Sequence, residues 1–372
     1  MSTMDEKGYY NPVRVVQTSG WFEACRQGLE TLGIESPLIV ASDGGVKRLD
    51  LASIFSLDSI FSAIMPNPTL RSCQQAIDFS RNRSFDGIIA IGGGSVMDTA
   101  KAVKAAIGTD SFDIGEILRN EKVFPNSVPS IFIPTTHGTG SEVTMWGTVW
   151  DDRRKRKRSV SYPDLYPDIA ILDGSLTASL PLDISLITVL DALSHSFEAI
   201  WNRNRNSRST GYAIDAICMI LENVNELKSD LCNVDVRRRL LEAACVAGLA
   251  FSNTKTAAAH SISYPLTAYF AIPHGIASSL PLIPLLKINK TAVKNEMDRI
   301  YERLRLKGFS HLLEIIEDIP GDSIKYNLKD WGVKFDEIDE LVSRSFTPRM
   351  DYNIIDLTEH DVKSILEDIY GD

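Results

Sequence analysis

Apolar residues in the first half of the chain come in short unbroken runs: Pro37–Ala41, Gly87–Ile91, Ser130–Ile133 and Ile169–Leu172. A half-exposed strand would alternate apolar and polar side chains. Unbroken runs mark strands buried on both faces, as in a parallel sheet. Between some of them the spacing becomes helical. After Pro68-Thr69 the apolar positions are Leu70, Cys73 and Ile77; after Gly94 they are Val96, Ala100, Val103 and Ile107, with Gly108 as the expected stop. Strand and helix in alternation predict a doubly wound α/β domain.

From about Ser175 strand-like runs become rare and long amphipathic stretches take over: Leu186–Trp201, Ser209–Leu227, Val236–Phe251 and Ala292–Leu306. A last one follows the capping sequence Thr358-Glu-His-Asp361 and puts Val362, Ile365, Leu366 and Ile369 on one face. The length of 372 residues suits two packed domains or one large unit, since single cores stop growing near roughly 250–300 residues. With no repeat, low-complexity tract or long linker, two directly packed domains with a cleft between them are expected: an α/β domain over 1–175 and a helical domain over 176–372.

Composition narrows the partners. A net charge of −10 and a pI near 5.2 argue against nucleic acid, whose phosphates need a basic surface. The run Arg153–Arg158 is a local exception, preceded by Asp151 and Asp152, and reads as a solvated loop or strand edge. Cys25, Cys73, Cys218, Cys232 and Cys245 are scattered without CxxC pairing, which suits reduced, mostly buried thiols. The leading stretch Met1–Tyr10 is polar and no apolar run approaches membrane-spanning length, so a cytoplasmic enzyme without a membrane partner is the default.

Two polar turns carry candidate chemistry. Gly92-Gly-Gly-Ser95 follows the strand ending at Ile91 and opens the helix containing Asp98 and Lys101. Glycines let backbone N–H groups approach an anion, and the helix N-terminus adds partial positive charge. The sequence is not GxGxxG, and alone it reads equally as a tight turn. A second segment, Pro134-Thr-Thr-His-Gly-Thr-Gly-Ser-Glu142, also follows a buried strand, at the end where open α/β sheets bind ligands. Two such turns in one domain favour a dinucleotide.

The second set is imidazole. Asp191 and His195 are spaced i, i+4 and share a helix face; His260 follows Ala257-Ala-Ala259, and His274 stands between Pro273 and Gly275. One carboxylate and three imidazoles without thiolates suit Fe²⁺ or Zn²⁺. Taken singly, a histidine on an apolar segment is more often a hydrogen-bonded core or interface residue than a ligand. His137, His311 and His360 stay outside the set, although His137 lies in the second polar turn. Glu198, one turn beyond His195, is either an acceptor orienting His195 or a surface partner of Arg203 or Arg205.

Together these segments resemble the iron-containing (group III) alcohol dehydrogenases. The likeness runs through Tyr10-Asn-Pro-Val13, Pro66-Asn-Pro-Thr69, Gly92-Gly-Gly-Ser-Val-Met-Asp-Thr-Ala-Lys101, Pro134–Thr144, Tyr166–Asp173, Asp191-Ala-Leu-Ser-His195 and Ile272-Pro-His-Gly275. GGGSxxDxAK followed by PTTxGTGSE is far more specific than either piece. The resemblance implies a Rossmann-like α/β N-terminal domain that binds the nicotinamide cofactor and an all-α C-terminal domain that holds one metal, the dehydroquinate synthase-like architecture. It puts the metal, Fe²⁺ with Zn²⁺ as the alternative, on Asp191, His195, His260 and His274. It puts NADPH or NADH over Gly93, Gly94 and Ser95, with Asp98 supporting the turn and Thr135, Thr136, Thr139 and Lys157 near the cofactor. Tyr264 and His274 are the catalytic candidates.

Three departures from the family matter. Many members carry a histidine four residues after the third ligand, where this chain has Tyr264, so a proton relay must use a phenol, water or another group. His137 replaces a common alanine. Ser42 stands where NAD-preferring members often place an aspartate against the ribose, which favours NADPH, although the adjacent Asp43 argues the other way.

The implied reaction is hydride transfer between the nicotinamide and a small aldehyde or alcohol whose oxygen a metal polarises. Segments Leu193–Asn206 and Ser261–Thr267 resemble the phosphonoacetaldehyde reductases, which make 2-hydroxyethylphosphonate in phosphonate biosynthesis. An anionic substrate would use a cation, and Arg203, Arg205 and Arg208 are candidates, each also readable as a solvated loop arginine. The alternatives are a general short-chain primary alcohol dehydrogenase, a dehydroquinate synthase-type lyase, and a metal- or nucleotide-binding scaffold without turnover. A homo-oligomer is expected.

Overall fold

The computed structural model describes residues 8–81, 83–119, 124–126 and 128–371, so the reading of the leading stretch through residue 7 lies outside the described residues. The chain forms two compact units: residues 11–136 with 141–177, and residues 178–371 with 8–10 and 137–140.

The first unit is built on a six-stranded, all-parallel sheet. Its strands are β1 (Arg14–Gln17), β2 (Pro37–Ala41), β3 (Ile60–Phe61), β4 (Gly87–Gly92), β5 (Ser130–Pro134) and β8 (Ile169–Leu172), in the order β1-β8-β5-β4-β2-β3. The unbroken apolar runs have a direct cause. Successive side chains of a strand point to opposite faces, and here both faces are cores. Leu38, Val40, Ile88, Ala90 and Phe132 enter one cluster; Ile39, Ala41, Ile89, Ile91, Ile131 and Ile133 enter the other. From β2 the chain steps outward to β3, then crosses back to β4 and proceeds the other way to β5. The direction therefore reverses between β2 and β4, and the carboxyl ends of those two strands are the ligand position of open α/β sheets.

Three sequence expectations need correction or addition. Helix Gly94–Thr109 runs through Gly108 and stops instead at Asp110, which takes the left-handed conformation at φ 51°. Gly108 answers to packing: a Cβ there would lie 2.5 Å from the Phe124 ring. β1 and β3 are edge strands too short to stand out. The basic run belongs to an antiparallel hairpin of β6 (Trp146–Asp151) and β7 (Arg156–Ser161), turned through Lys155 at φ 51°.

The second unit is helical. Helices Leu182–Ile200, Ser207–Ser229 and Val234–Thr254 pack on one another, and Ala258–Phe270 and His274–Ser279 follow. Their starts are chemically marked. Asn206 caps through the Ser209 N–H, Asn233 through those of Asp235 and Val236, and Thr358 forms a capping box with Asp361 ahead of helix Glu359–Asp368. Gly275 permits a close approach: a Cβ there would sit 2.2 Å from the Ile187 carbonyl oxygen. Only glycine lets the His274 helix lie this near helix Leu182–Ile200. Among the described residues, no helix is long and apolar enough to cross a membrane. Cys25, Cys73, Cys218 and Cys245 are buried free thiols, and Cys232 is an exposed one.

Candidate active site

Helix Leu182–Ile200 is buried along most of its length, and its polar residues are turned inward with the apolar ones. Asp191 and His195 project one turn apart, 3% and 5% exposed. His260 enters from the first turn of helix Ala258–Phe270, 1% exposed. One ligand atom from each of Asp191, His195 and His260 lies within 4.8 Å of the others. The His195 ring stacks between Phe251, at 4.1 Å, and His260, at 4.5 Å. His274 opens its helix at the border of this cluster, its ring edge-on to His260 at 5.2 Å. Burial pushes the Asp191 carboxyl up, while His195, His274, His260 and the Ser278 hydroxyl bring it down to about 2. Ser278 donates to Asp191 Oδ1 at 3.0 Å, and its carbonyl accepts from the Ser194 hydroxyl at 2.8 Å. A buried carboxylate facing converging imidazoles, with no thiolate, is a donor set that fits a borderline divalent ion.

Glu198 serves a partner other than the one read from spacing. It is fully buried and reaches His260 rather than His195 or a surface arginine. Its Oε2 accepts from His260 Nδ1 at 2.5 Å; its Oε1 accepts the backbone N–H groups of Ala257 and His260 at 3.0 and 3.1 Å. One carboxylate thus caps a helix start and fixes the imidazole tautomer, leaving His260 Nε2 turned to Asp191 Oδ1 at 3.8 Å. Burial pushes the Glu198 carboxyl up to about 7, against the lowering by those backbone donors and by His195. Glu198→Gln keeps the shape but replaces one acceptor oxygen with a donor. Either the backbone N–H groups or His260 Nδ1–H then meets an N–H. Divalent-metal affinity should fall by roughly 10- to 100-fold, read by competition with a chromophoric chelator; an unchanged affinity would refute the role.

The remaining predicted residues distribute as follows. Tyr264 lies one helical turn beyond His260. Arg203 pairs with Asp356 at 2.5 Å and donates to the Asn353 carbonyl, Arg205 pairs with Glu296 at 3.8 Å, and Arg208 lies over the Tyr9 ring at 5.5 Å. As anion receptors, these three are already engaged within their own chain. Sequence reasoning missed Arg237, which is fully buried. It donates from Nη1 to Ser185 Oγ at 2.7 Å and to His137 Nε2 at 3.3 Å, and from Nε and Nη2 to the Leu231 and Leu180 carbonyls. His137 is thereby built into the helical unit, its Nδ1 3.1 Å from Thr188 Oγ1.

In the α/β unit the glycine-rich turn stands at the carboxyl end of β4. Gly93 is the N-cap of helix Gly94–Thr109, its carbonyl accepting the Val96 and Met97 N–H groups at 3.0 and 3.2 Å, and a helix start carries the partial positive charge that suits an anion. The Thr135 N–H donates to the Gly92 carbonyl at 3.1 Å, which ties the second polar turn to the first. Thr136 follows Thr135 at the end of β5, while Thr139 belongs with 137–140 in the helical unit. Ser95 Oγ accepts the Asn67 N–H at 3.1 Å, and Ser42, at the end of β2, accepts the Gly45 N–H as a helix cap. Asp98 stands near the start of the same helix, where its Oδ1 accepts the Ser141 hydroxyl at 3.4 Å. Burial raises its carboxyl, and the charges of Lys101 and Lys157 oppose the rise. Lys101 Nζ, itself buried, donates to Ser141, Thr144 and the Trp146 carbonyl, locking the helix onto the segment that follows β5.

Comparison with known proteins agrees with this geometry. Residues 12–174 match the family model for iron-containing alcohol dehydrogenase, and residues 185–370 match that for the C-terminal domain of the Fe-containing alcohol dehydrogenase family. The chain is 31% identical over 296 residues to the probable alcohol dehydrogenase EutG of Escherichia coli, covering 77% of this chain and 74% of that protein. It is 26% identical over 351 residues to the sulfoacetaldehyde reductase of Bilophila wadsworthia, covering 91% and 88%. The crystal structure of sulfoacetaldehyde reductase from Bifidobacterium kashiwanohense in complex with NAD⁺ superposes with a TM-score of 0.89 at 27% identity, covering 97% of this chain and 98% of that one. With both halves matched and a shared fold, the chain belongs to the iron-containing alcohol dehydrogenase family and is an oxidoreductase.

Proposed function

We propose that this protein is a metal-dependent, NAD(P)H-linked aldehyde reductase acting on a two-carbon aldehyde that bears an acidic group, with phosphonoacetaldehyde reduced to 2-hydroxyethylphosphonate. The observation that carries the reading is the buried Asp191–His195–His260 cluster with His274 at its border. The likeness to two sulfoacetaldehyde reductases supports the substrate class, because sulfonate and phosphonate are both tetrahedral oxyanions on a short aldehyde.

Asp191, His195, His260 and His274 would hold the metal, and residues 176–372 form the metal and substrate domain. Residues 1–175 are assigned as the cofactor domain, and Ser42, Gly93, Gly94, Ser95, Asp98, Thr135, Thr136, Thr139 and Lys157 are assigned to dinucleotide binding. When bound, a divalent ion supplies Lewis-acid polarisation of a carbonyl oxygen and a reduced nicotinamide supplies the hydride. The chain's own part is positional. Ser278 and Glu198 orient Asp191 and His260, Phe251 fixes the His195 ring plane, and burial keeps water from the donors. We assign the proton relay to the Tyr264 hydroxyl, one turn beyond His260, where the family often has histidine. NADPH is the favoured cofactor, since the position that would carry a ribose-directed carboxylate is Ser42.

The test follows nicotinamide absorbance under anaerobic conditions, with protein reconstituted with Fe²⁺ or Zn²⁺ and offered phosphonoacetaldehyde, sulfoacetaldehyde or propanal. Faster oxidation of NADPH with the anionic aldehydes is the expected result. Turnover of propanal alone would leave a short-chain alcohol dehydrogenase and remove the acidic-aldehyde assignment.

A further inference from the structure

We infer that Arg349 is the receptor for the acidic group of the substrate, an inference that rests on the aldehyde-reductase reading above. The residue is half-buried, and its Nη1 is buried without a hydrogen-bond partner; among the described residues no other guanidinium nitrogen is in that condition. Native proteins seldom leave a charged N–H in this state, because it has lost water and gained nothing in return. Arg203 and Arg205 are engaged by carboxylates, and Arg237 by carbonyls, Ser185 and His137. Arg349 therefore keeps a buried N–H available for an acceptor.

Its backbone is tied through Thr347 to the helix that carries His260. The Arg349 N–H donates to Thr347 Oγ1 at 3.3 Å, and Thr347 Oγ1 shares a hydrogen bond with Ser261 Oγ at 2.6 Å. Ser261 Oγ also donates to the Ser345 carbonyl at 2.6 Å. Ser261 is the residue directly after His260, so the turn that presents Arg349 is anchored to the same first turn of helix Ala258–Phe270 that delivers an imidazole to the cluster. A planar guanidinium takes a tetrahedral oxyanion through paired N–H donors, a geometry that an ammonium reproduces only as a point charge. The ligand class is a phosphonate or sulfonate on a short aldehyde.

The experiment compares the wild-type enzyme with Arg349→Met and Arg349→Lys on phosphonoacetaldehyde, sulfoacetaldehyde and propanal. In parallel, binding of ethylphosphonate and ethanesulfonate, which carry the anion without the aldehyde, is measured by calorimetry. The kcat/KM ratio of anionic to neutral aldehyde should fall about 10- to 100-fold in Arg349→Met, chiefly through KM, with partial recovery in Arg349→Lys. Binding of at least one anion should weaken by a similar factor, and which one binds more tightly names the source. A wild-type preference for anionic aldehydes that Arg349→Met retains would overturn the inference and leave the substrate reading standing. A wild-type enzyme indifferent to the anionic group would remove that reading; the inference would then fall as well if neither anion bound in an Arg349-dependent way.

Discussion

Asp191→Asn is expected to lower affinity for a divalent metal by about 10²- to 10³-fold while leaving the fold intact. The magnitude follows from sharing the roughly 10–16 kcal/mol of a four-ligand protein metal site among its ligands, which gives about two to three decades each. The amide preserves the volume of the buried side chain and can still accept the Ser278 hydroxyl. What it loses is the negative charge, the only one offered by the proposed ligand set. The carboxyl held down at about 2 means that the surrounding imidazoles and the Ser278 hydroxyl stabilise the carboxylate beyond its burial cost even without metal, so metal-free Asp191→Asn should melt somewhat lower than metal-free wild type. Metal content after dialysis and thermal melting of the metal-free proteins separate the two effects. Full metal occupancy in the variant would exclude Asp191 as a ligand.

Arg237→Leu should cost about 3–5 kcal/mol of stability, since it strands several buried acceptors at roughly 1–3 kcal/mol each before any relaxation. The guanidinium serves two carbonyls, a hydroxyl and an imidazole, and leucine leaves all four acceptors in the interior without a donor. A melting temperature lower by on the order of 10 °C is the expected reading. The same network gives acid sensitivity. Burial, reinforced by the Arg237 charge, holds His137 down at about 3 against an ordinary 6.5. The unfolded chain protonates this imidazole below its ordinary value while the folded chain does not. Stability from this site is therefore complete above pH 6.5 and declines as pH falls from there toward 3. Replacing His137 with Asn should flatten the melting temperature against pH over that window; an unchanged slope would assign the sensitivity elsewhere.

These two sites also mark what the sequence could and could not disclose. The strands were readable because Leu38 and Val40 feed one core and Ile39 and Ala41 the other, so no polar position interrupts the run. The Asp191–His195 pair was readable because helix geometry alone puts i and i+4 together. Glu198 was visible as a possible orienting carboxylate, but its partner lies on another helix, and spacing along one helix pointed to His195 instead. Arg237 stands first in Arg237-Arg-Arg239, a run with the look of a solvated face. Only its first member is buried, a distinction made by packing around Leu180 and Ser185. Arg349 resembles any loop arginine until the turn anchored on Ser261 is seen. Gly108 shows the converse error: its stop signal was read locally, while the Phe124 ring explains the missing side chain.

The most direct test of metal-dependent aldehyde reduction is to strip the protein with a chelator, verify that it remains folded, and follow NADPH oxidation by phosphonoacetaldehyde and propanal before and after adding Fe²⁺ or Zn²⁺ without air. The account predicts no turnover in the stripped protein and recovery that saturates at one metal per chain. Undiminished turnover by folded, metal-free protein would contradict it.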